Sequence, residues 1–352
     1  MFALLTLVAS VLVDPLPGAA QVTLHDDDTL TIRFESRDLV LCPDRVERHP
    51  DGWSARGEDG AFVFTAVGDM VSGGLREGHR RLQFQPDPHD PRVSLVSVAP
   101  PVRCLHAEEG VANAFDAGSS NATRGCCGCL DDPGFVDVLI VYTPAARLGA
   151  GGSQALEARV RNTIDTTNAV FANSAIDDLQ MNLIGFREIA YDENSPDWLD
   201  HLVRVTDPAD GFMDEVHGWR DSDAADCVML IVDDTRFTGG AAWWAIWDQG
   251  AAFSCLNWRS AGGGILTGAH EFGHTFGAAH DHDNDASAPF PFSWGHHDVH
   301  EGMPFGTVMS YVGETLPVFS NPALAGPGGL PLGVRPGEDR AAHNALMIRR
   351  SR

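Results

Sequence analysis

Three histidines stand within one short segment, AHEFGHTFGAAHD at residues 269–281. In an α-helix, residues four positions apart project from the same face, so His270 and His274 can share one metal ion. His280 comes six residues after His274, where a continuous helix would turn it about 120° away. Gly277 lies between them and can take the left-handed conformation that ends a helix. The spacing therefore predicts a helix that breaks at Gly277 and a chain that brings His280 back to the other two rings.

The residue types indicate a catalytic Zn2+ site. Structural zinc ions usually have four protein ligands, often cysteine, whereas catalytic zinc ions have three protein ligands and a water. His270, His274 and His280 supply three neutral imidazoles. Glu271 follows His270 directly, beside the ligand face of the helix, and is suited to hold a water as a general base. This arrangement predicts hydrolysis by a metal-activated water.

The segment 270–280 resembles the metzincin signature H-E-x-x-H-x-x-G-x-x-H at every fixed position. A metzincin also has a methionine turn downstream, and GTVMSY at 306–311 is similar to it. In the family this methionine packs beneath the zinc ligands without binding the metal, which implies a structural role for Met309. Tyr311 matches the position where some metzincins carry a tyrosine that reaches the metal or the transition-state oxyanion. The alternative for Tyr311 is an ordinary packed side chain.

Three further features are similar to the reprolysin/adamalysin-like secreted bacterial peptidases. They are Asp281 after the third histidine, PVFSNP at 317–322 near the specificity pocket, and VDVLIVYTPAAR at 136–147 as the first strand. The resemblance covers about residues 135–352. It implies a secreted zinc-dependent endopeptidase, made as a zymogen, that hydrolyses peptide bonds in protein or peptide substrates. In such a protein Glu271 is the general base and Tyr311 stabilises the oxyanion.

The elements that must position these residues form an alternation of strands and helices, which predicts an α/β (α+β) domain with a mixed twisted sheet. A long helix is expected to begin at a Ser153 cap and to carry an apolar stripe. Other strands are predicted at 135–142, 179–191, 226–234 and 251–255. Other helices are predicted at 198–219, with a break near Pro208, and at 336–350. A glycine run at 262–264, expected to be flexible, precedes the metal helix. Residues 251–255 resemble the edge strand along which a metzincin substrate lies, the alternative being an interior strand.

The chain divides into three predicted parts. Residues 1–20 hold an apolar run followed by small residues, typical of a signal peptide, with a buried N-terminal strand as the alternative. Residues 21–133 combine short β-rich pieces with a polar linker and resemble a metzincin propeptide, the alternative being an independent binding domain. Residues 134–352 form the metzincin-like catalytic domain. We therefore expect export to the extracellular space or the periplasm.

Seven cysteines raise the question of zymogen control. A thiolate is an excellent zinc ligand, and in several metzincins a propeptide cysteine keeps the zymogen inactive in this way. The candidates are Cys104, Cys126, Cys127 and Cys129. Local disulfides or a small separate metal clip are the alternatives for them. Cys227 and Cys255 lie in the catalytic segment, either as a disulfide or as two buried free thiols.

Composition limits the partners. A formal net charge of −25 and a pI near 4.7 argue against nucleic acid or an anionic membrane, because phosphate binding needs a basic surface. After the leader, no stretch is long and apolar enough to cross a bilayer. A hydrophobic content of 43% over 352 residues permits one sizeable core and a second, smaller one. We expect a monomer.

Two further metal-binding patterns carry less information. The alternating carboxylates of DHDND at 281–285 are compatible with Ca2+, but the remaining fixed positions of an EF-hand are missing. His296, His297 and His300 are near the metal segment in sequence, although loop histidines are more often solvated than ligating.

Two functions other than peptide hydrolysis stay open at this point. One is a non-catalytic zinc-containing binding or toxin-like protein, and the other is a zinc hydrolase that acts on a non-peptide substrate.

Overall fold

The computed structural model of the protein describes residues 18–34, 37–77, 80–87, 89–98, 134–246 and 248–351. The first four ranges form one antiparallel sheet, which we call the N-terminal sheet. Its strands are β1 (Gly18–Leu24), β2 (Leu30–Phe34), β3 (Arg37–Leu41), β4 (Arg45–His49), β5 (Gly52–Arg56), β6 (Phe62–Val67), β7 (Met70–Glu77), β8 (Arg80–Pro86) and β9 (Ser94–Val98). Their order across the sheet is β3-β2-β1-β9-β8-β7-β6-β5-β4. The β-rich character predicted for this region is confirmed in the described residues, and its role as a propeptide stays a prediction.

The first strand of this sheet begins inside the predicted leader. Gly18, Ala19 and Ala20 pair with β9, and the Ala20 side chain is buried. A chain cut after Ala20 would lose the whole pairing between β1 and β9. Residues 1–17 and the linker 99–133, with its four candidate cysteines, lie outside the described residues.

The two ranges from 134 onward form the second unit, which mixes strands and helices. Its strands are β10 (Phe135–Tyr142), β11 (Gln180–Glu188), β12 (Cys227–Val232), β13 (Gly240–Ala242), β14 (Phe253–Asn257), β15 (Ala279–Asp281), β16 (Trp294–Gly295), β17 (His297–His300), β18 (Met303–Gly306), β19 (Glu314–Thr315), β20 (Asn321–Ala325) and β21 (Pro331–Leu332). Its helices are α1 (Pro144–Gly149), α2 (Ser153–Asn173), α3 (Asp200–Thr206), α4 (Glu215–Asp223), α5 (Thr267–Thr275) and α6 (Asn344–Arg350). The predicted mixed α/β architecture is confirmed.

The central sheet of this unit has the order β11-β10-β12-β14-β13. The first four strands are parallel, and β13 is antiparallel to β14. Strands buried on both faces are expected to be continuously apolar, and CVMLIV in β12 has this pattern. One face of the sheet packs on α2 and α5, and the other packs on α3 and α4. The metal helix α5 therefore lies directly on the core.

The edge of the central sheet is not the strand that the sequence indicated. β14 lies in the interior, hydrogen-bonded to β12 on one side and to β13 on the other. The assignment of residues 251–255 to the sheet edge is therefore wrong, and the interior alternative is correct. Within the described residues the two edge strands are β11 and β13, and the edge next to β14 is β13, a strand of only three residues. Its outer backbone groups face away from the sheet, because β13 pairs with β14 alone in the described part of the chain.

Two predicted helix starts also differ. Ser153 is the first residue of α2, and the cap position belongs to Gly152 with φ of 118°. The helix predicted at 336–350 is helical only in α6, its last half. Gly337 and Arg340 have positive φ angles of 93° and 53°, which a helix does not tolerate. Residues 336–340, which were predicted as the start of this helix, thus form turns.

Cys227 and Cys255, the two cysteines of residues 134–351, do not form a disulfide. Cys227 and Cys255 are both free and buried. Their side chains belong to the cores on opposite faces of the central sheet, so the two sulfur atoms cannot meet. Burial first, and then the carboxylates of Glu193 and Glu271, raise the pKa of the Cys255 thiol well above its usual value. Separately, no helix in the described residues combines the length and the apolar content that a membrane span requires.

Candidate metal centre

The helix α5 carries the first two histidines and ends where the sequence predicted. Gly277 has a φ of +86°. Its N–H donates to the carbonyl of His274 at 2.7 Å, and the N–H of Ala278 donates to the carbonyl of Gly273 at 2.9 Å. This pair of bonds closes a helix around a left-handed glycine. The chain then enters β15, which contains His280, and the predicted break is confirmed.

The three imidazole rings converge at their Nε2 atoms. The Nε2 atom of His280 lies 3.1 Å from that of His270 and 3.0 Å from that of His274. All three side chains are buried, and together they could hold a metal ion. Zinc binds histidine nitrogen at about 2.0–2.1 Å, so tetrahedral ligand atoms are about 3.3 Å apart. The donor set and its spacing therefore fit zinc after only a small opening of the rings.

Each ring is oriented through its other nitrogen, Nδ1. The pairs are His270 with the Val308 carbonyl oxygen (2.8 Å), His274 with the Ala278 carbonyl oxygen (2.8 Å) and His280 with Asp285 Oδ2 (3.2 Å). A proton on Nδ1 donates to these oxygen atoms and leaves the Nε2 lone pair for the common centre. Such outer partners fix the tautomer and the orientation of metal-binding histidines. The rings are thus held in the form that a metal needs.

The protonation state of His274 also suits metal binding. Burial first, and then the neighbouring rings of His280 and His270, hold the pKa of His274 well below its usual value. A buried imidazole among two others resists protonation because a positive charge there would lack solvation. His274 is therefore a neutral ligand at neutral pH.

The side chain of Glu271 is buried and packs between α5 and β13. A Cβ atom placed on Gly240 would lie 2.5 Å from Cγ of Glu271 and 2.7 Å from its Cδ and Oε1. Only glycine leaves room for the glutamate at this point of the edge strand. The carboxyl group therefore lies where the metal helix faces the edge of the central sheet.

Met309 packs beneath the metal helix, as the methionine turn implied. Its side chain is fully buried. A Cβ atom on Gly273 would lie 2.8 Å from Met309 Sδ, and one on Gly295 would lie 3.0 Å from Met309 Cβ. Two glycines thus allow the methionine to fit closely between α5 and β16. The neighbouring carbonyl of Val308 is the one that orients His270.

Tyr311 lies beside the rings of His270, His274 and His280, and we call these four rings the ring cluster. Its hydroxyl oxygen is 2.6 Å from Nε2 of His280, and its ring stacks on His270 at a centroid distance of 5.7 Å. Its backbone N–H donates to Asp281 Oδ2 at 3.2 Å. Asp281 is buried and also accepts from Asn284 Nδ2 at 2.8 and 2.9 Å. Asp281 therefore braces the turn after His280.

Within the described residues, His296, His297 and His300 stay outside the group formed by His270, His274 and His280. His297 Nε2 lies 2.8 Å from Asp283 Oδ2 and 3.7 Å from Asp281 Oδ1, and these three residues form a second group that could hold a metal ion. Asp283 also pairs with Arg340 at 2.6 Å, and a cation would have to compete with that guanidinium. The Ca2+ prediction for residues 281–285 stays a prediction.

Two positions at the site were not found from the sequence. Gly240 makes room for Glu271, but the second of the two glycines in FTGGAAWW, at 237–244, gives no periodic signal. Asp285 orients His280, and in the sequence it was one member of a carboxylate run. Its offset of five residues from His280 was the available signal.

The family model and the curated relatives that match this chain are all metallopeptidases. The reprolysin-type model of metallo-peptidase family M12 matches residues 133–315, slightly more than half of the chain. A peptidyl-Asp metalloendopeptidase of Stenotrophomonas maltophilia is 29% identical over 59% of this chain and 49% of its own length. The protein of that name from Xanthomonas campestris pv. campestris is 27% identical over 77% of this chain and 64% of its own length. The chain thus spans about half to two thirds of these relatives.

Among solved structures, the crystal structure of metalloproteinase-II from Bacteroides fragilis aligns with a TM-score of 0.45 and 11% identity. The alignment covers 82% of this chain and 86% of that one. The family match includes both the histidine segment and the methionine segment, whose geometry is described above. The chain belongs to metallo-peptidase family M12.

Proposed function

We propose that the protein is a zinc-dependent endopeptidase with Glu271 as its general base. The observation that carries this proposal is the convergence of three buried Nε2 atoms, two pairs of which are 3.0 and 3.1 Å apart. The names of the relatives, all of which are metalloendopeptidases, support it. His270, His274 and His280 would hold the ion, and a carboxyl group stands next to them in sequence. A purely structural zinc site needs no such base.

The chemistry divides between the ion and the protein. When bound, zinc would lower the pKa of a water ligand toward ~7 and polarise the carbonyl group to be attacked. Glu271 accepts the proton that the water loses as its oxygen bonds to the carbonyl carbon. The carbon–nitrogen bond then breaks, and Glu271 returns the proton to the departing amine nitrogen. The products are a carboxylic acid and a free amine, and the proton that the acid then loses passes to the amine or to the solvent.

The edge strand β13 offers a place for the substrate backbone. A peptide that added a strand outside β13 would form main-chain hydrogen bonds with it. Gly240 on β13 touches the Glu271 side chain, so a peptide paired there would pass beside the base. This replaces residues 251–255 as the proposed docking strand.

Tyr311 is proposed to stabilise the oxyanion. Tyr311→Phe keeps the ring stacked on His270 and removes the hydroxyl that lies 2.6 Å from His280 Nε2. We expect kcat to fall by roughly 10- to 100-fold, because one donor to the developing negative charge is lost. The zinc content and KM should change little. Steady-state kinetics with zinc analysis checks this, and an unchanged kcat would assign Tyr311 to packing alone.

We further propose that the protein is exported and made as a zymogen, with residues 21–133 as its propeptide. The signal-peptide pattern of residues 1–20 and the resemblance of residues 21–133 to a metzincin propeptide support this. Amino-terminal sequencing of the protein recovered outside the producing cells tests it. A mature start near residue 134 is expected, and a start near residue 21 in the active protein would exclude a removable propeptide.

Metal removal tests the proposed function as a whole. We expect the protein to hydrolyse denatured casein, a chelator to abolish the activity, and added Zn2+ alone to restore it. A need for Ca2+ as well would support the calcium prediction. A zinc-loaded protein that leaves casein intact would support a non-catalytic protein or, if it cleaves esters, a different hydrolase. Mass spectrometry of the fragments from a peptide library reads the side-chain preference, including the aspartate named in the relatives.

A further inference from the structure

Three consecutive glycines, Gly262–Gly264, stand two residues before the metal helix. All three are buried, with φ angles of +69°, +65° and +66°. Successive left-handed residues are a conformation that only glycine adopts readily. A buried backbone of this kind needs fixed hydrogen-bond partners. The expectation of a flexible run is therefore wrong, and the question becomes what holds it.

The N-terminal sheet supplies two of these partners. The N–H of Gly263 donates to Ser72 Oγ at 2.9 Å, and Ser72 is fully buried on β7. Nη1 of Arg81 on β8 donates to the carbonyl of Gly264 at 2.9 Å. Burial first, and then the charge of Arg76, lower the pKa of Arg81 to about 10. Arg81 is still charged at neutral pH, so its bond to the glycine carbonyl is charge-assisted.

The backbones of β7 and the glycine run also touch directly. A Cβ atom on Gly74 would lie 2.6 Å from Cα of Gly264, and one on Gly264 would lie 2.6 Å from Cα of Gly74. Asn162 on α2 joins the two units, since its Oδ1 accepts from the Gly264 N–H at 3.0 Å. Its Nδ2 donates to Thr65 Oγ1 on β6 at 3.2 Å. The run is thus enclosed between α2 and the N-terminal sheet.

Strand β7 of the N-terminal sheet also contacts the chain that follows Met309. Arg76 on β7 forms an ion pair with Glu314 at 2.8 Å. Glu314 stands five residues after Met309, and Gly264 stands six residues before His270. Strand β7 therefore touches the chain on both sides of the ring cluster.

On the basis of the proposed metal site, and independently of peptide hydrolysis, we propose that the N-terminal sheet positions the metal helix. It does so by fixing the backbone of Gly262–Gly264 through Ser72, Gly74 and Arg81, while Arg76 holds the segment after Met309. The surface formed by α2 and the glycine run is thus a docking face whose partner is the chain's own N-terminal sheet. In the proposed zymogen this interface acts in the full chain, before residues 21–133 are removed.

The reason for a functional effect is geometric. Three glycines have large backbone freedom, so an unheld run would let the first turn of α5 shift. His270 is in that first turn, and its Nε2 atom must meet two other nitrogens within a few tenths of an ångström. Metal affinity should therefore depend on contacts that lie outside the ligand set.

The test uses the full chain and the double variant Ser72→Ala/Arg81→Met. We expect amide exchange in residues 262–275 to become roughly tenfold faster, because two bonds that hold the run are lost. We also expect the dissociation constant for Zn2+, measured by competition with a chromogenic chelator, to rise roughly tenfold. Ser94→Ala is the matched control. Ser94 is a buried serine of the same sheet whose hydroxyl donates to the Val71 carbonyl within the sheet.

The outcomes separate a positioning role from a passive contact. Faster exchange and weaker zinc binding in the double variant, with Ser94→Ala like the parent, support the proposal. Unchanged exchange in 262–275 or unchanged zinc affinity overturns it, as does an equal effect of Ser94→Ala. If the double variant does not fold, the single variant Ser72→Ala is judged by the same two measurements. Because neither measurement uses hydrolysis, failure of the casein assay in the parent leaves this test intact.

Discussion

Glu271→Gln is expected to bind zinc like the parent protein and to lose roughly two to four orders of magnitude in kcat. Glutamine has nearly the same shape as glutamate, so it fits the space that Gly240 leaves beside the helix. Its amide cannot accept the proton of the attacking water at neutral pH. The three imidazoles and their Nδ1 partners are untouched by the change. Steady-state kinetics on casein fragments, together with zinc analysis of the purified variant, measures both parts of the expectation.

Glu157→Gln is the matched control for this change. Glu157 is on α2 and pairs with Arg161 at 2.8 Å, at a half-exposed position outside the metal centre. Loss of one such ion pair is worth little, so activity should stay near that of the parent. Full activity in Glu271→Gln would remove Glu271 from the mechanism. Loss of zinc in that variant would instead indicate that the glutamate supports the metal site.

The convergence of the three histidine rings could be predicted from the sequence because its geometry is local. The offsets between His270, His274 and His280 fit a helix that breaks at one glycine, and Gly277 has the required positive φ. Buried parallel strands such as β10 and β12 could be found for a similar reason, since β12 is continuously apolar and β10 is apolar except at Asp137. These features depend on residues close together in the chain.

Features that depend on distant segments could not be predicted in this way. β13 contains only glycine and alanine, and it becomes an edge strand because β14 offers it a backbone to pair with. Its small residues carry no strand propensity. In the same way the run Gly262–Gly264 suggested flexibility, because its partners Ser72 and Arg81 are almost two hundred residues away in the chain. Contacts between residues so far apart in the chain cannot be predicted from a short stretch of sequence.

The second large loss of activity is expected from a substitution at Gly240, which lies against Glu271. In Gly240→Ala the new methyl group would lie 2.5 Å from Cγ of Glu271, far closer than carbon atoms approach, so the carboxyl group or β13 must move. Displacement of a catalytic group by about 1 Å can cost roughly 10²-fold in rate. We expect a loss of that size in kcat with zinc retained, because no ligand or ligand partner is touched. Gly218→Ala is the control, since a Cβ there on α4 meets no atom within 4 Å.

A double variant decides whether Gly240 acts through Glu271. If the methyl group harms catalysis only by displacing the base, Gly240→Ala should cost little more in a protein that already carries Glu271→Gln. The two losses in the free energy of activation would then be far from additive, as expected for residues in contact. If instead the losses add, the methyl group disturbs the pairing of a substrate with β13. In that case the glycine belongs to the proposed docking strand and not to the positioning of the proton acceptor.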